Sequence, residues 1–366
     1  MNNKWKLKII DYYIIRTFLG TFFFALILII CIAVIFDVAE KIDDFLEKGA
    51  TLKQIVFEYY FNFIPYFAVL FSSLFTFISV IFFTSKMAYN TEIVAILNSG
   101  MSFRRFLYPY MISAALLSTF SFMLSNFVIP GANKKRLAFE EVYVRSKTFE
   151  YTKRNIHKQI EPGVYIYMES FNNISETGRL FSMEKFKDDK LVKKLMSEYI
   201  QWDSVKNKWS IRNYYIRTID SLKETLVKGD KLDTIIKNIN PEEFKRRDNF
   251  VDAMSIGELN KYIKTLRLQG ADNINMYIIE REKRLAFPFS TFILTMIGVT
   301  LSSRKVRGGI GMHIGVGLAL SFGYILFMQF SSQFAISGTL SPLLAAWIPN
   351  IIFAIISLYL YRIAPK

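Results

Sequence analysis

Two groups of residues in this sequence have the types and spacing to do chemistry. The first is a lone carboxylate, Glu92, near the head of Asn90-Thr-Glu92-Ile-Val-Ala-Ile-Leu-Asn-Ser-Gly100. Asn90 or Thr91 can cap a short helix there, and Gly100 can end it. Ile93, Ile96 and Leu97 then share one face, giving a short amphipathic helix suited to a membrane surface. Glu92 has two readings: it pairs with an arginine on a soluble partner, or it is a solvated carboxylate favourably placed by the helix dipole. The second group is cationic: Lys134, Lys135 and Arg136 in a row, with Lys41 able to join them. Such a cluster either snorkels into lipid headgroups or binds the phosphates of an anionic lipid. The residues themselves leave both open.

Other chemistries are poorly represented. No G-x-x-x-x-G-K-[ST] phosphate loop occurs, so the chain is no P-loop ATPase by itself. No Gly-x-Ser-x-Gly elbow and no acid–base cluster stands out, which disfavours an enzyme acting on lipid. Cys31 is the only cysteine, so the chain can form no internal disulfide and no cysteine-built metal site. His157 and His313 lie far apart and outside any H-E-x-x-H pattern, so neither a metal nor a cofactor is expected. The formal net charge of +15 comes without any zinc-finger, RNA-binding or basic-zipper pattern. Anionic lipid is therefore a better partner class than nucleic acid.

The elements that must position these groups are membrane spans. Apolar residues crowd into long blocks at both ends of the chain, while the middle is polar. A span needs about 20 mostly apolar residues. Six runs qualify: Thr17 to Phe36, Phe61 to Thr84, Phe106 to Ile129, Leu285 to Ser303, Ile310 to Phe330 and Leu343 to Tyr361. The first follows Lys4, Lys6, Lys8 and Arg16, but it is too long for a cleavable signal peptide and reads as an uncleaved helix. Lys86, Arg104 and Arg105 follow span 2, Arg304, Lys305 and Arg307 follow span 4, and Arg362 and Lys366 end the chain. The positive-inside rule puts these and both termini in the cytoplasm. The loop from Ser331 to Pro342 carries no charge and falls on the opposite side, with the polar insert. The spans carry essentially no charged group at mid-membrane, which disfavours an ion-driven transporter. Energy for any work would come from a cytoplasmic partner.

The division expected is residues 1–132 for spans 1 to 3, with the short helix at about 88–100; 133–254 for the insert; and 255–366 for linker helices and spans 4 to 6. In the insert, Val164, Ile166 and Met168 alternate with Tyr165, Tyr167 and Glu169, the period of a half-buried strand. Asn172-Asn173 and Thr177-Gly178 mark turns, and Tyr199–Asp203 and Lys208–Thr218 flank Lys206-Asn207 as a hairpin. An antiparallel all-β domain, sandwich or jellyroll-like, follows, with an inner face that either holds an acyl chain or packs on itself. Ser255-Ile-Gly-Glu258 is a capping box for a helix running to about Leu268, with Gly270 as its stop. A further helix from near Asp272 runs through Arg281 and Arg284 into span 4. Gly311 and Gly315 form a G-x-x-x-G in span 5, a site for helix packing within the bundle or with a partner. Pro65 and Pro349 are expected to kink spans 2 and 6.

Several stretches together resemble the LptF/LptG (YjgP/YjgQ) permeases of lipopolysaccharide export. They are Asp11-Tyr-Tyr-Ile-Ile-Arg-Thr-Phe18, the Asn90–Gly100 run, and Glu280-Arg-Glu-Lys-Arg284-Leu-Ala-Phe-Pro288. Arg304-Lys-Val-Arg-Gly-Gly309 and Leu340-Ser-Pro342-Leu-Leu-Ala-Ala-Trp347-Ile-Pro349-Asn350 complete the set. The resemblance covers the whole chain and the plan of six spans with an insert after the third. It implies a non-catalytic membrane subunit of an ABC transporter of the inner membrane, paired with a second homologous permease and a cytoplasmic ATPase dimer. The lipid would pass through a lateral gate of helices 1 and 5, then by a periplasmic β-jellyroll to a periplasmic bridge protein. A single-span partner with its own periplasmic domain also fits the family. Glu92 matches the ATPase-contacting glutamate of the family's coupling helix, and Lys41 and Arg136 match its phosphate-contacting basic residues. Helix 1 here has no lysine deep in the span, unlike some members. A rival from another class is a membrane-anchored scaffold or receptor whose β domain binds a protein.

Overall fold

The computed structural model describes residues 7–145, 151–220, 223–244, 248–271, 273–304 and 309–364. Lys4, Lys6, Asp272, Lys305, Arg307 and Lys366, used above, lie outside the described residues. Among those described, six helices are long and apolar enough to cross a membrane. They are span 1 (Ile9–Glu47), span 2 (Leu52–Tyr89), span 3 (Phe103–Tyr143), span 4 (Ile274–Ser302), span 5 (Gly309–Ile336) and span 6 (Pro342–Ile363). Each contains the apolar run expected of it, save that span 4 stops one residue short of Ser303, and extends into flanking polar sequence, because a helix needs no apolar residues once it leaves the bilayer. Spans 2 and 3 carry short π-helical stretches at Ile55–Tyr60 and Leu124–Val128.

The chain forms two compact units. The first holds Met1–Arg145, Asp252–Ile256 and Asn275–Lys366, and the second Ser146–Val251 and Gly257–Ile274. The expected cuts at 132/133 and 254/255 thus fall inside span 3 and inside a short strap that belongs to the membrane unit.

The spans pack by stripes at helical spacing. In span 1, Ile14, Phe18, Phe22 and Leu26 recur every fourth residue and are buried, the ridge geometry of helices crossing with their i±4 rows in contact. They join Val80 and Phe83 of span 2 and Phe106, Tyr110 and Leu117 of span 3 in one core. A second core joins Phe77 and Ile81 of span 2 to Leu294 and Ile297 of span 4, Tyr324 and Met328 of span 5 and Phe353 of span 6. Lipid competes with apolar packing, so polar contacts matter more here than in a soluble core. Ser73 and Ser290 are hydroxyl-bonded at 2.9 Å across spans 2 and 4, and Ser121 donates to Ser72 at 3.3 Å across spans 3 and 2. Tyr324 of span 5 donates to Asn350 of span 6 at 2.9 Å, and Asn350 donates to the carbonyl of Ala286 in span 4 at 2.8 Å. Pro349 cannot donate to the carbonyl of Ala345 one turn earlier. Ser331 of span 5 donates to that carbonyl instead, at 2.7 Å.

The second unit is built on one six-stranded antiparallel sheet, ordered β1-β2-β3-β4-β5-β6 in chain sequence. The strands are β1 (Arg154–Glu161), β2 (Val164–Asn172), β3 (Thr177–Lys187), β4 (Lys190–Asp203), β5 (Lys208–Asp220) and β6 (Lys223–Thr234). The all-β, jellyroll-like insert between spans 3 and 4 is therefore present. Ile166 and Met168 are buried as the alternation requires, with Ile156, Phe181, Leu195, Ile200, Trp209 and Ile211 on the same core. Phe244, from the short 3-10 helix Pro241–Phe244, stacks on Phe171 at 4.3 Å and covers that core. The Lys206-Asn207 hairpin forms as expected: Asp203 Oδ1 accepts from the backbone N–H groups of Val205 and Lys206, and Trp202 faces Trp209 at 5.2 Å. The helix Ile256–Gln269 buries Leu259, Ile263 and Leu266 and stops at Gly270, whose φ of +64 is the left-handed stop conformation.

Candidate functional site

The Glu92 site is built by the short link between spans 2 and 3. Thr91 takes a left-handed φ of +63, which turns the chain out of span 2 and starts the helix Glu92–Asn98. Gly100, at φ +84, ends it. Ile93 is 1% exposed, and Ile96 and Leu97 pack beside it on the core shared by spans 1, 2 and 3. The apolar face expected from spacing therefore points into the bundle. The opposite face presents Val94, Ala95 and Asn98 to solvent. Glu92 is half-buried at the head of the helix, where the N-terminal dipole favours a carboxylate. Asn90 donates to its Oε1 at 3.2 Å, and the Tyr13 hydroxyl of span 1 donates to Oε2 at 3.5 Å.

Beside it lies a pair that spacing in the sequence did not reveal. Asp11, 1% exposed, accepts two bonds from the Arg105 guanidinium of span 3, at 2.6 and 2.5 Å. It also accepts the Lys8 backbone N–H at 2.7 Å, closing the first turn of span 1. The two residues are 94 apart, and Arg105 counted above only as one of the charges that orient the chain.

The cation group sits at the other ends of spans 1 to 3. Lys41 Nζ contacts Asp37 and the Tyr59 hydroxyl, both at 2.5 Å, and lies 5.1 Å over the Tyr59 ring. Asp37 also accepts from Tyr60 at 3.2 Å. Arg136 lies 4.9 Å from the Tyr66 ring centroid and 3.6 Å from Glu140. Both cations thus have neighbours of opposite charge, and Lys134 and Lys135 are exposed on span 3. Phe45, Tyr59, Tyr60, Phe63 and Phe139 form an aromatic cluster that joins these three helix ends.

The strap Asp252–Ile256 lies next to Arg136 in the membrane unit. Asn133 donates to the Asp252 carbonyl at 3.1 Å, and Arg284 to the Met254 carbonyl at 2.7 Å. Burial, and then the neighbouring Glu280 carboxylate, push the Asp252 carboxyl up to about 6; Arg284, Arg136 and Lys283 pull the other way.

The two glycines expected to pack span 5 do not do so within this chain. Gly311 and Gly315 lie on the exposed face, and a Cβ on either would meet nothing within 4 Å. The stripe facing the bundle is His313, Gly317, Ser321, Tyr324 and Met328, two residues out of phase. Gly317 is the close-approach residue, since a Cβ there would stand 2.1 Å from Ile81 Cδ1. Gly298 of span 4 plays the same part against Val80, at 2.8 Å. A glycine motif has no phase of its own, so only the apolar stripe around it tells which glycine faces inward.

The six spans, the β insert after the third and the short helix after the second make one arrangement. A family model for the lipopolysaccharide export system permease LptF/LptG matches residues 12–363, nearly the whole of it. The chain belongs to the LptF/LptG family. Among curated proteins, none matches it. As a member of that family it is a multi-pass inner-membrane permease of a lipopolysaccharide export system, one that works with partner subunits. Within an LptF/LptG permease, the two groups described above lie at opposite ends of spans 1 to 3, one beside the short helix and one beside the start of the insert.

Proposed function

We propose that this permease is the membrane subunit of an ABC transporter, and that the helix Glu92–Asn98 is its coupling helix to a cytoplasmic ATPase dimer. The observation that carries the reading is the way this helix is seated. Ile93, Ile96 and Leu97 are keyed into the core of spans 1, 2 and 3, while the half-buried Glu92 and the exposed Val94, Ala95 and Asn98 remain accessible. A partner that moves the helix must move the spans with it. Nucleotide-driven closure would then change the cavity's affinity for lipid, which is all that a coupled pump requires.

The rest of the assembly follows the family plan. Both termini lie in the cytoplasm, and the β unit lies in the periplasm, passing lipopolysaccharide to a bridge protein. A second homologous permease, and a single-span partner with a periplasmic domain, complete the membrane part. Spans 1 and 5 form the lateral gate, with Gly311 and Gly315 on the lipid- or partner-facing side of span 5. Lys134 and Lys135, with Lys41 and Arg136 once released from their acidic neighbours, meet the lipid phosphates. Hydrolysis of ATP belongs to the partner.

Glu92→Ala in the co-expressed complex tests the reading. Reduced recovery of the ATPase with the permease, or loss of its stimulation by lipopolysaccharide, is the expected result. Normal recovery together with full export would remove Glu92 from the coupling role.

A further inference from the structure

Span 1 is held very unevenly. Its N-terminal half is fixed by the buried stripe Ile14, Phe18, Phe22 and Leu26 and by the bidentate Asp11–Arg105 pair. From Ile27 to Phe36 no side chain is buried; the span is gripped again from Asp37 onward, by the Asp37 and Lys41 contacts with Tyr59 and Tyr60 and by the buried Phe45. Tyr13, two residues after Asp11, packs edge-on against Phe83 of span 2 at 5.9 Å between ring centroids and reaches Glu92 at 3.5 Å. Span 1 is thus held at both ends, and one of these fixed ends touches the coupling helix.

We infer that Asp11 and Arg105 are positioning residues that make the N-terminal end of span 1 a pivot, with Tyr13 as the point where the coupling helix acts on it. This rests on the coupling role proposed for Glu92 and adds which span receives the motion. The chemistry suits a pin. A planar guanidinium on a carboxylate fixes direction as well as distance, unlike a lysine point charge. The Lys8 backbone N–H takes part of the same carboxylate, so the helix start and the interhelix bond are set together. Asp11 is buried, so breaking the pair would strand its carboxylate, which resists slipping of the pin. Between Leu26 and Asp37 the span has only half-buried contacts, so small displacements at Tyr13 are free to appear as larger ones along that middle stretch.

Spin-label distances on the permease in lipid nanodiscs test this, with lipopolysaccharide and the ATPase added afterwards. Cys31 is the only cysteine and lies exposed on the loosely held middle stretch, so Cys31 with Leu116→Cys reports on that stretch. Tyr12→Cys with Arg104→Cys, in a Cys31→Ser background, reports on the pinned end. Without ATPase, the first pair is expected to show a distribution wider by about twofold or more. Asp11→Asn should widen the second pair to match, and Arg105→Lys should do so in part. The charge-swapped Asp11→Arg, Arg105→Asp double variant should narrow it again, a rescue that mere loss of folding would not give. In the full complex, Asp11→Asn should reduce lipopolysaccharide-stimulated ATP hydrolysis by about fivefold or more while the lipid-free rate stands. Equal widths at the two places, or unchanged widths in Asp11→Asn, would overturn the pivot whatever the fate of Glu92. Intact pivot widths with an Asp11→Asn complex that couples normally would overturn the link from pivot to coupling. Loss of the ATPase from the wild-type complex would instead strike the proposed function itself.

Discussion

Gly317→Ala offers a direct measure of how tightly spans 2 and 5 are packed. The added Cβ would stand 2.1 Å from Ile81 Cδ1, 3.5 Å from Ile81 Cγ1 and 3.7 Å from Phe77 Cε1. Two carbons prefer about 3.5–4.0 Å, so the first contact overlaps by well over an ångström. Ile81 is 1% exposed and is packed by Phe77, Leu294 and Tyr324, which leaves its terminal methyl little room to swing aside. Overpacking of this kind costs about 1–3 kcal/mol. The helical preference of alanine over glycine returns about 0.5–1 kcal/mol, so a net loss of up to about 2.5 kcal/mol is expected. Gly315→Ala meets nothing within 4 Å and should be neutral or slightly stabilising, which makes it the matched control. Ile81→Val deletes the clashing methyl at a cost of about 0.5–1.5 kcal/mol. Combined with Gly317→Ala, it should cost less than the sum of the two single changes. The assay is thermal unfolding of the purified permease in one detergent, ranked by midpoint. Equal midpoints for Gly317→Ala and Gly315→Ala, or strict additivity with Ile81→Val, would refute the packing argument.

Three further outcomes follow from the same structure. The Asp252 carboxyl is held near 6, above its unfolded value of 3.8, so its contribution to stability is present at low pH and lost as pH rises through about 6. The unfolding free energy should fall between about pH 4 and pH 6, by up to about 3 kcal/mol for two pKa units, and Asp252→Asn should flatten that slope; an identical slope in the variant refutes it. Lys134→Glu with Lys135→Glu should weaken lipopolysaccharide binding in detergent with little change in unfolding midpoint, whereas Lys41→Ala should lower the midpoint by stranding Asp37 among Tyr59 and Tyr60; the reverse pattern would count against both assignments. Ser331→Ala should cost about 1–3 kcal/mol by leaving the Ala345 carbonyl without its donor, read against the exposed control Ser337→Ala.

Much of this architecture is legible in the sequence, and the parts that are not share a cause. Six apolar runs and one polar insert give the span count because the bilayer imposes a length on every crossing. The alternation in β2 and the turn residues after β4 give the sheet for the same reason of period. β6 escapes notice because nearly every residue from Lys223 to Lys231 is exposed, so no alternation is written into it. It is held by backbone pairing with β5, which any residues except proline can make. Asp11–Arg105 escapes because ion pairs across 94 residues leave no local pattern. The Ile93, Ile96 and Leu97 face was visible, but its direction was not. An apolar face on a helix at the membrane surface fits lipid and bundle equally, and only the packing shows that it meets the bundle.

The hydroxyl fasteners between spans have a mechanical consequence. Ser290 donates to the carbonyl of Phe287 in its own helix at 2.7 Å, which leaves its oxygen to accept from Ser73 of span 2 at 2.9 Å. When neighbouring helices slide, Ser290 keeps the bond within its own helix, and only the buried Ser73 hydroxyl must turn to another acceptor. Small shear between spans 2 and 4 therefore meets little resistance from these bonds, whereas separation of the helices would still break the packing around them. Sliding along their axes is therefore an easier motion for these two spans than opening between them.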